Sequence, residues 1–79
     1  MPYFEDFVVP DIVVERERQT EKWGEQDRIP MDWVPILGKE FGSVCRAICD
    51  NDPDKYREEL IHFIAVGVDM LENFDNGGW

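Results

Sequence analysis

Residues 38–62 read GKEFGSVCRAICDNDPDKYREELIH and hold two predicted helices on either side of one short turn. The turn, Asn51-Asp52-Pro53, leaves almost no slack, so the helices are expected to fold back as an antiparallel hairpin. At ~1.5 Å of rise per residue, residues 40–43 lie roughly 10–15 Å before the turn and residues 59–62 roughly 9–14 Å after it. The carboxylates of Glu40 and Glu59 are therefore expected at matched heights, as in helical bundles that hold divalent metal ions.

Three helices are predicted in all. The first runs over 10–23 and is ended by Gly24, and a loop over 25–32 follows it. The second begins at Asp32 and carries an apolar stripe at helical spacing: Trp33, Leu37, Phe41, Val44 and Ile48. The third runs over 53–73 and is apolar nearly all round, which predicts that it is the central helix.

The 79 residues are long enough for a single domain, residues 1–79. Within it, residues 1–10 are predicted to form an apolar, partly extended arm, and residues 75–79 a loose tail. Although the chain is short, 43% of its residues are hydrophobic and 13% are aromatic. Because so small a core rarely stabilises a monomer with much margin, we expect the apolar surplus to be shared with another copy of the chain. The predicted fold class is therefore all-α, a short helical bundle subunit completed by oligomerisation.

The acidic composition excludes several classes of partner. Eighteen acidic and eight basic side chains give a formal net charge of -10. Binding to nucleic acid needs clustered Lys and Arg, and an anionic membrane would repel this surface, so neither partner is expected. The charge fits cation binding, a basic protein partner that the chain occupies as a decoy, or simple solubility. Without an apolar run of ~20 residues or a basic N-terminal leader, a cytoplasmic location is expected.

Glu40 is a candidate metal ligand because it falls on the apolar stripe of the second helix. A carboxylate on such a stripe must be paired, protonated or bound to a cation, since burying an unpaired charge is very costly. The alternative to a metal is a salt bridge to Arg46, to Arg57 or to a base of the first helix.

The third helix carries the other candidates. Glu58 and Glu59 point about 100° apart, since that is the helical rotation per residue. Glu59 is nearer the buried side, and Glu58 is expected to be solvated at the helix start. His62 suits metal coordination, or a hydrogen bond to Glu58 or Asp69. In the first helix, the charged run over 15–22 is expected to be a solvated face, with phosphate contact by its bases as the functional alternative.

Three blocks of this sequence together resemble the short, phage-type members of the MazG-like family. The blocks are residues 15–19 followed by Lys22-Trp23-Gly24, then residues 33–44, then residues 57–68. They cover most of residues 15–72 in the family's order. The resemblance implies an all-α nucleoside triphosphate pyrophosphohydrolase, which cleaves an NTP or dNTP to the monophosphate and pyrophosphate. It also implies a homodimer or homotetramer.

The metal motif of that family can be carried over residue by residue. The family holds Mg²⁺ with Glu-x-x-Glu on one helix and Glu-x-x-Asp on the next, and the metal neutralises phosphate charge and activates water. Glu40 and Glu59 match the first acid of each motif. Ser43 stands where the second Glu belongs, and His62 stands where the Asp belongs. The resemblance thus implies Glu40, Glu59 and His62 as metal ligands, with Mg²⁺ as the cofactor and Mn²⁺ as an alternative that an imidazole ligand favours.

The remaining assignments follow from the same resemblance. Glu58 and Glu59 are the predicted catalytic residues, with Glu58 orienting a ligand or water. Lys22, Lys39 and Arg18 are the predicted contacts to the triphosphate. The alternative function is a non-catalytic helical module of the same fold that binds a nucleotide or a protein, because the acid expected at position 43 is missing.

Overall fold

The computed structural model describes residues 1–24 and 28–79, and within them it contains helices and no strand. A π-helix, Phe4–Val8, leads into α1 (Val9–Trp23). The hairpin consists of α2 (Pro30–Cys49) and α3 (Pro53–Asp75). The prediction of an all-α fold with three helices is confirmed. Of the predicted loop over 25–32, residues 25–27 lie outside the described part of the chain.

The central position predicted for the third helix is confirmed, because α3 packs against both α1 and α2. Two of its residues, Ala65 and Val66, are almost fully buried. On the facing side, α2 contributes Trp33, Val44 and Ala47 to the same small core. The turn between α2 and α3 places Asn51 at φ 53°, a left-handed conformation that Asn tolerates better than most residues. This arrangement brings the facing sides of α2 and α3 into register for the site described below.

Asp52 starts α3 with a side-chain cap. Its carboxylate accepts the backbone N–H of Lys55 at 3.0 Å, and Pro53 occupies the first helical position, where no N–H is needed. The sequence therefore fixes the helix start at the point where the chain must reverse.

We expect Asp52→Ala to lower the free energy of unfolding by about 1 kcal/mol, because the first turn of α3 loses its acceptor. The change is measured by urea unfolding followed by circular dichroism. Asp52→Asn is the matched control, since it retains an oxygen at the cap and is expected to stay within a few tenths of a kcal/mol of the unchanged chain. Equal losses in the Ala and Asn variants would contradict the capping role.

The partly extended conformation predicted for the arm over residues 1–10 is wrong. Residues 2–10 are helical, and the π-helix places the N–H of Val9 on the carbonyl of Phe4, five residues earlier. Glu5 and Asp6 lie in the first turn, where their charges suit the helix dipole. Pro10 has no N–H to donate to the preceding turn, and the π-helix just before it is an irregularity of the kind that accommodates a proline within a helix.

The start of α2 also differs from its prediction. The helix begins at Pro30, two residues before Asp32, and Asp32 is the third helical residue rather than the cap. From there its carboxylate accepts the backbone N–H of Ile29 at 3.2 Å. The carboxylate of Asp32 thus reaches back to the residue before the helix, whereas we expected it to cap the N–H groups that follow it.

Of the residues predicted to form a loose tail, 75–79, Asp75 is the last residue of α3 and the others follow it in turns. Gly78 donates to the carbonyl of Asn73 at 2.8 Å, and Gly77 donates to that of Phe74 at 2.9 Å. With Gly77 at φ 92°, this is a Schellman cap, and α3 extends to Asp75. Among the described residues, no helix combines the length and apolar character that a bilayer crossing requires.

Candidate metal centre

Glu40 of α2 meets Glu59 and His62 of α3. One ligand atom from each of the three side chains lies within 4.8 Å of the other two, and all three residues are half-buried. Glu59 and His62 are three residues apart, so they share one side of α3, and the hairpin sets Glu40 opposite them. Two carboxylate oxygens and one imidazole nitrogen at this separation form a donor set that fits a divalent cation.

Within this cluster, His62 and Glu59 already interact. Nδ1 of His62 lies 3.3 Å from Oε2 of Glu59. The other oxygen of Glu59 lies 3.6 Å from Nζ of Lys55, whose side chain is exposed. Because the Lys55 side chain is exposed, solvent partly screens this pair, and a divalent cation would bring more charge to the same carboxylate.

The arginines considered as alternative partners of Glu40 form their ion pairs with other carboxylates. Each one bonds a different carboxylate: Arg46 bonds Asp50 at 3.0 Å, Arg57 bonds Asp11 at 2.8 Å, and Arg18 bonds Glu15 at 2.7 Å. The salt-bridge alternative for Glu40 therefore fails for these bases.

Ser43 does not replace the acid that the family has at its position. Its hydroxyl donates to the backbone carbonyl of Lys39 at 3.1 Å, within its own helix. The side chain lines a groove between α2 and α3 that also contains Glu59 and Lys55. Within the part of the chain that the structure describes, the three-residue cluster is thus without a fourth carboxylate at this corner.

Two residues of the charged run in α1 are buried, which corrects the prediction of a solvated face over 15–22. Glu15 is 7% exposed and Gln19 is 5% exposed. Arg18 donates to both oxygens of Glu15, at 2.8 and 2.7 Å, and Gln19 donates a further hydrogen bond at 3.0 Å. The bonds from Arg18 hold the pKa of Glu15 below its usual value against the opposing effect of burial. Glu15 is therefore a fixed, ionised carboxylate inside the fold.

His62 lies between two carboxylates. Nε2 of its ring is 3.6 Å from Oε1 of Glu15, while Nδ1 faces Glu59. The hydrogen-bond partners that we predicted as alternatives, Glu58 and Asp69, are thus not the carboxylates that flank the ring. Sequence reasoning missed Glu15 because an acid in a charged run is normally solvated.

A cavity of about 280 Å³ opens beside Glu40, between α1 and the hairpin. Its lining includes the indole rings of Trp23 and Trp33 and the side chain of Lys39. The guanidinium of Arg28 lies 5.1 Å from the centre of the Trp33 ring. A cavity lined by two tryptophans and by basic residues, beside a carboxylate cluster, suits a small, flat, anionic molecule.

The three residues predicted to contact phosphate lie in different environments. Lys39 lines the cavity, next to Glu40 in sequence. The Nζ of Lys22 lies 5.4 Å from the ring centre of Trp23. The guanidinium of Arg18 is bonded to Glu15, and the negative charges of Glu40 and Glu58 also contribute to the raised pKa of Arg18.

Glu58 is exposed and is not one of the three clustered ligands. Nζ of Lys55 is 3.6 Å from its carboxylate, and the side chain lines a groove between α1 and α3 with Arg18 and His62. Its predicted role in orienting water or a ligand stays a prediction. No family model, curated protein or solved structure matches this chain, so the MazG-like resemblance rests on the three sequence blocks alone.

Proposed function

We propose that this chain is a metal-dependent nucleoside triphosphate pyrophosphohydrolase, with its metal held by Glu40, Glu59 and His62. The observation that carries the proposal is the approach of three ligand atoms to within 4.8 Å of one another from two different helices. The same three positions are the ones that the MazG-like resemblance assigns to the metal. Geometry and sequence pattern thus agree on one location.

The residues around the cluster have separable roles in this proposal. A bound divalent ion would supply charge neutralisation at the phosphates and a more acidic water. The cavity lined by Trp23 and Trp33 takes the nucleobase, and Lys39 meets a phosphate at the boundary of the cavity with Glu40. Glu58, on the adjoining groove, orients a water or ligand group.

The donor set favours Mn²⁺ over Mg²⁺. Mg²⁺ prefers an all-oxygen octahedral shell, and His62 supplies a nitrogen where the family has a carboxylate. Imidazole binds transition metals more readily, so Mn²⁺ is the expected activator and Mg²⁺ the weaker one.

We also propose that two copies pair through an exposed apolar face of the hairpin, defined by six residues: Val34, Phe41 and Ile48 of α2, and Ile64, Leu71 and Phe74 of α3. Each of them is at least 40% exposed. The residues of α2 recur every seven positions, which places them along one line of the helix, and the ring of Phe41 lies 6.3 Å from that of Phe63 on α3. A large exposed apolar face on so small an acidic chain is best explained by a second copy that covers it.

The activity is tested by measuring pyrophosphate release over the common NTPs and dNTPs, with Mg²⁺ and with Mn²⁺. We expect turnover with at least one nucleotide, and faster turnover with Mn²⁺. The absence of turnover with every nucleotide and both metals would remove the enzyme proposal.

The second candidate function is a non-catalytic nucleotide-binding module of the same fold. The hydroxyl of Ser43 favours it, since its bond to the carbonyl of Lys39 leaves the corner without a fourth ligand. Nucleotide binding by calorimetry without any release of pyrophosphate would support this module over the enzyme.

We expect the double variant Ser43→Glu, His62→Asp to raise Mg²⁺-dependent turnover by about tenfold or more, which corresponds to about 1.4 kcal/mol of barrier. The added carboxylates complete an oxygen donor set of the kind that Mg²⁺ prefers. The measurement is the initial rate of pyrophosphate release in Mg²⁺. Ser43→Ala is the matched control and should leave the rate unchanged, and a double variant no faster than that control would contradict the prediction.

A further inference from the structure

Glu15 is a buried acid that the proposed reaction leaves without a role. It belongs to α1, whereas the proposed metal ligands all belong to α2 and α3. Its carboxylate is held in place by three hydrogen bonds, two from Arg18 and one from Gln19. The Nε2 of Gln19 also lies 3.4 Å from the backbone carbonyl of His62, which ties α1 to α3 at this level.

The two nitrogens of His62 face different carboxylates, and only one of them belongs to the metal cluster. Nδ1 is 3.3 Å from Glu59, and Nε2 is 3.6 Å from Glu15. An imidazole that binds a metal through one nitrogen carries its proton on the other, and a carboxylate that accepts this proton fixes the tautomer and makes the ligand more basic. At 3.6 Å, Nε2 of His62 and Oε1 of Glu15 are just beyond hydrogen-bond distance, so the bond proposed here requires the ring to move closer to Glu15.

We propose that Glu15 is the positioning residue of this site: it accepts the Nε2 proton of His62 and so leaves Nδ1 free to bind a transition-metal ion together with Glu40 and Glu59. The inference rests on the proposed metal site, and it adds that Glu15 makes this site prefer a transition-metal ion over Mg²⁺. Without Glu15, Glu59 is the carboxylate left to attract the ring proton, and it attracts that proton to Nδ1. The nitrogen needed for the metal would then be blocked.

Arg18 and Gln19 make Glu15 suited to this task. Oε2 accepts from both Arg18 and Gln19, whereas Oε1 accepts one bond from Arg18 and keeps a second lone pair that can accept the proton of His62. Because Arg18 pairs with it bidentately, the carboxylate is also prevented from turning toward solvent. The role proposed for Arg18 in phosphate contact is therefore secondary to its bonds with Glu15.

The test uses two readouts that do not depend on catalysis. His62 is the chain's single histidine, so the ¹⁵N-detected imidazole signals of the full-length protein report on this ring alone. At a pH where the ring is neutral, we expect the unchanged protein to carry its proton on Nε2, and Zn²⁺, used as a diamagnetic probe, to shift the Nδ1 signal. Calorimetry with Mn²⁺ and with Mg²⁺ supplies the affinities.

In Glu15→Gln we expect the proton to move toward Nδ1 and the affinity for Mn²⁺ to fall about 10- to 100-fold, as for other carboxylates that orient a metal-bound histidine. The affinity for Mg²⁺ should change much less, since Mg²⁺ depends on the carboxylates. Glu17→Gln, an exposed acid of the same helix, is the matched control and should change neither readout. If Glu15→Gln fails to fold because Arg18 is left unpaired, Glu15→Gln, Arg18→Gln removes the pair together and should show the same loss.

The outcomes separate this inference from the function on which it rests. If the unchanged protein binds Mn²⁺ and Zn²⁺ but the folded variant binds them equally well with the same tautomer, the positioning role is refuted and the metal site stands. If the unchanged protein binds neither ion, the metal site itself is refuted and the role of Glu15 is refuted with it.

Discussion

Replacing Glu59 by Gln is expected to remove Mn²⁺ binding and to lower the rate of pyrophosphate release by about 100-fold or more. Mutating a residue that only orients a metal ligand already lowers metal affinity or activity by about 10- to 100-fold, and Glu59 is proposed to bind the metal directly. Glu59 supplies one of the two carboxylates of the cluster, and its neighbours on α2 and α3 cannot replace it. Ser43 donates to a backbone carbonyl, and Glu58 is an exposed carboxylate that points about 100° away from Glu59 around the helix. Initial rates at saturating Mn²⁺ and calorimetric titration of the metal measure the two losses.

The same substitution should leave the fold intact. In the metal-free protein Glu40 and Glu59 are like charges only a few ångströms apart, so removing one charge relieves repulsion and offsets the loss of the contacts with Lys55 and His62. Urea unfolding without metal should therefore give about the same midpoint. Glu17→Gln, with the same change in charge on an exposed part of α1, controls for the net charge. If Glu59→Gln binds Mn²⁺ as tightly as that control, the assignment of Glu59 is wrong.

The meeting of Glu40, Glu59 and His62 could be predicted from the sequence, because it follows from regular geometry. A helix has a fixed rise, and a turn as short as Asn51-Asp52-Pro53 leaves few ways to connect two helices. Matched distances from the turn therefore become matched heights in the fold, and the spacing of 59 and 62 puts both side chains on one side of α3. No long-range information is needed for this part of the site.

The role of Glu15 could not be reached in the same way. Its burial depends on how α1 rotates against α3, and the run over 15–22 has charges on all sides. One signal was present: Ile12, Glu15, Gln19 and Trp23 follow at helical spacing, so Glu15 and Gln19 lie on the line that joins the apolar ends of α1. Reading polar residues on that line as buried requires knowledge of their partners on another helix.

The ends of the chain were missed for a different reason. The helical arm and the cap at Gly77 depend on individual backbone hydrogen bonds, from Val9 to Phe4 and from Gly78 to Asn73. An apolar or glycine-rich terminus is compatible with several conformations, and composition alone does not choose among them. The cavity between Trp23 and Trp33 was missed as well, because the two rings come from helices whose separation the sequence does not specify.

Leu71→Glu is expected to convert the protein from a dimer to a monomer at micromolar concentration. Leu71 is 61% exposed on α3, within the apolar face that we propose to be shared. A second copy would bury the new carboxylate without a partner, and in a symmetric pair the change occurs twice. We expect the dissociation constant to rise about 100-fold or more, equivalent to about 2.7 kcal/mol. Light scattering after size-exclusion chromatography, over a range of concentrations, measures the change.

A control variant and a measurement of Mn²⁺ binding distinguish an effect on the dimer from an effect on the metal site. Val13→Glu on α1 is the matched control, because Val13 is 47% exposed and lies outside the proposed face, so the dimer should persist. Since Glu40, Glu59 and His62 belong to one chain, the Leu71→Glu monomer should still bind Mn²⁺. A monomeric unchanged protein, or a Leu71→Glu variant that stays dimeric, would refute the shared face without affecting the metal ligands. A monomer that has also lost Mn²⁺ would instead mean that the second copy holds the hairpin in its binding geometry.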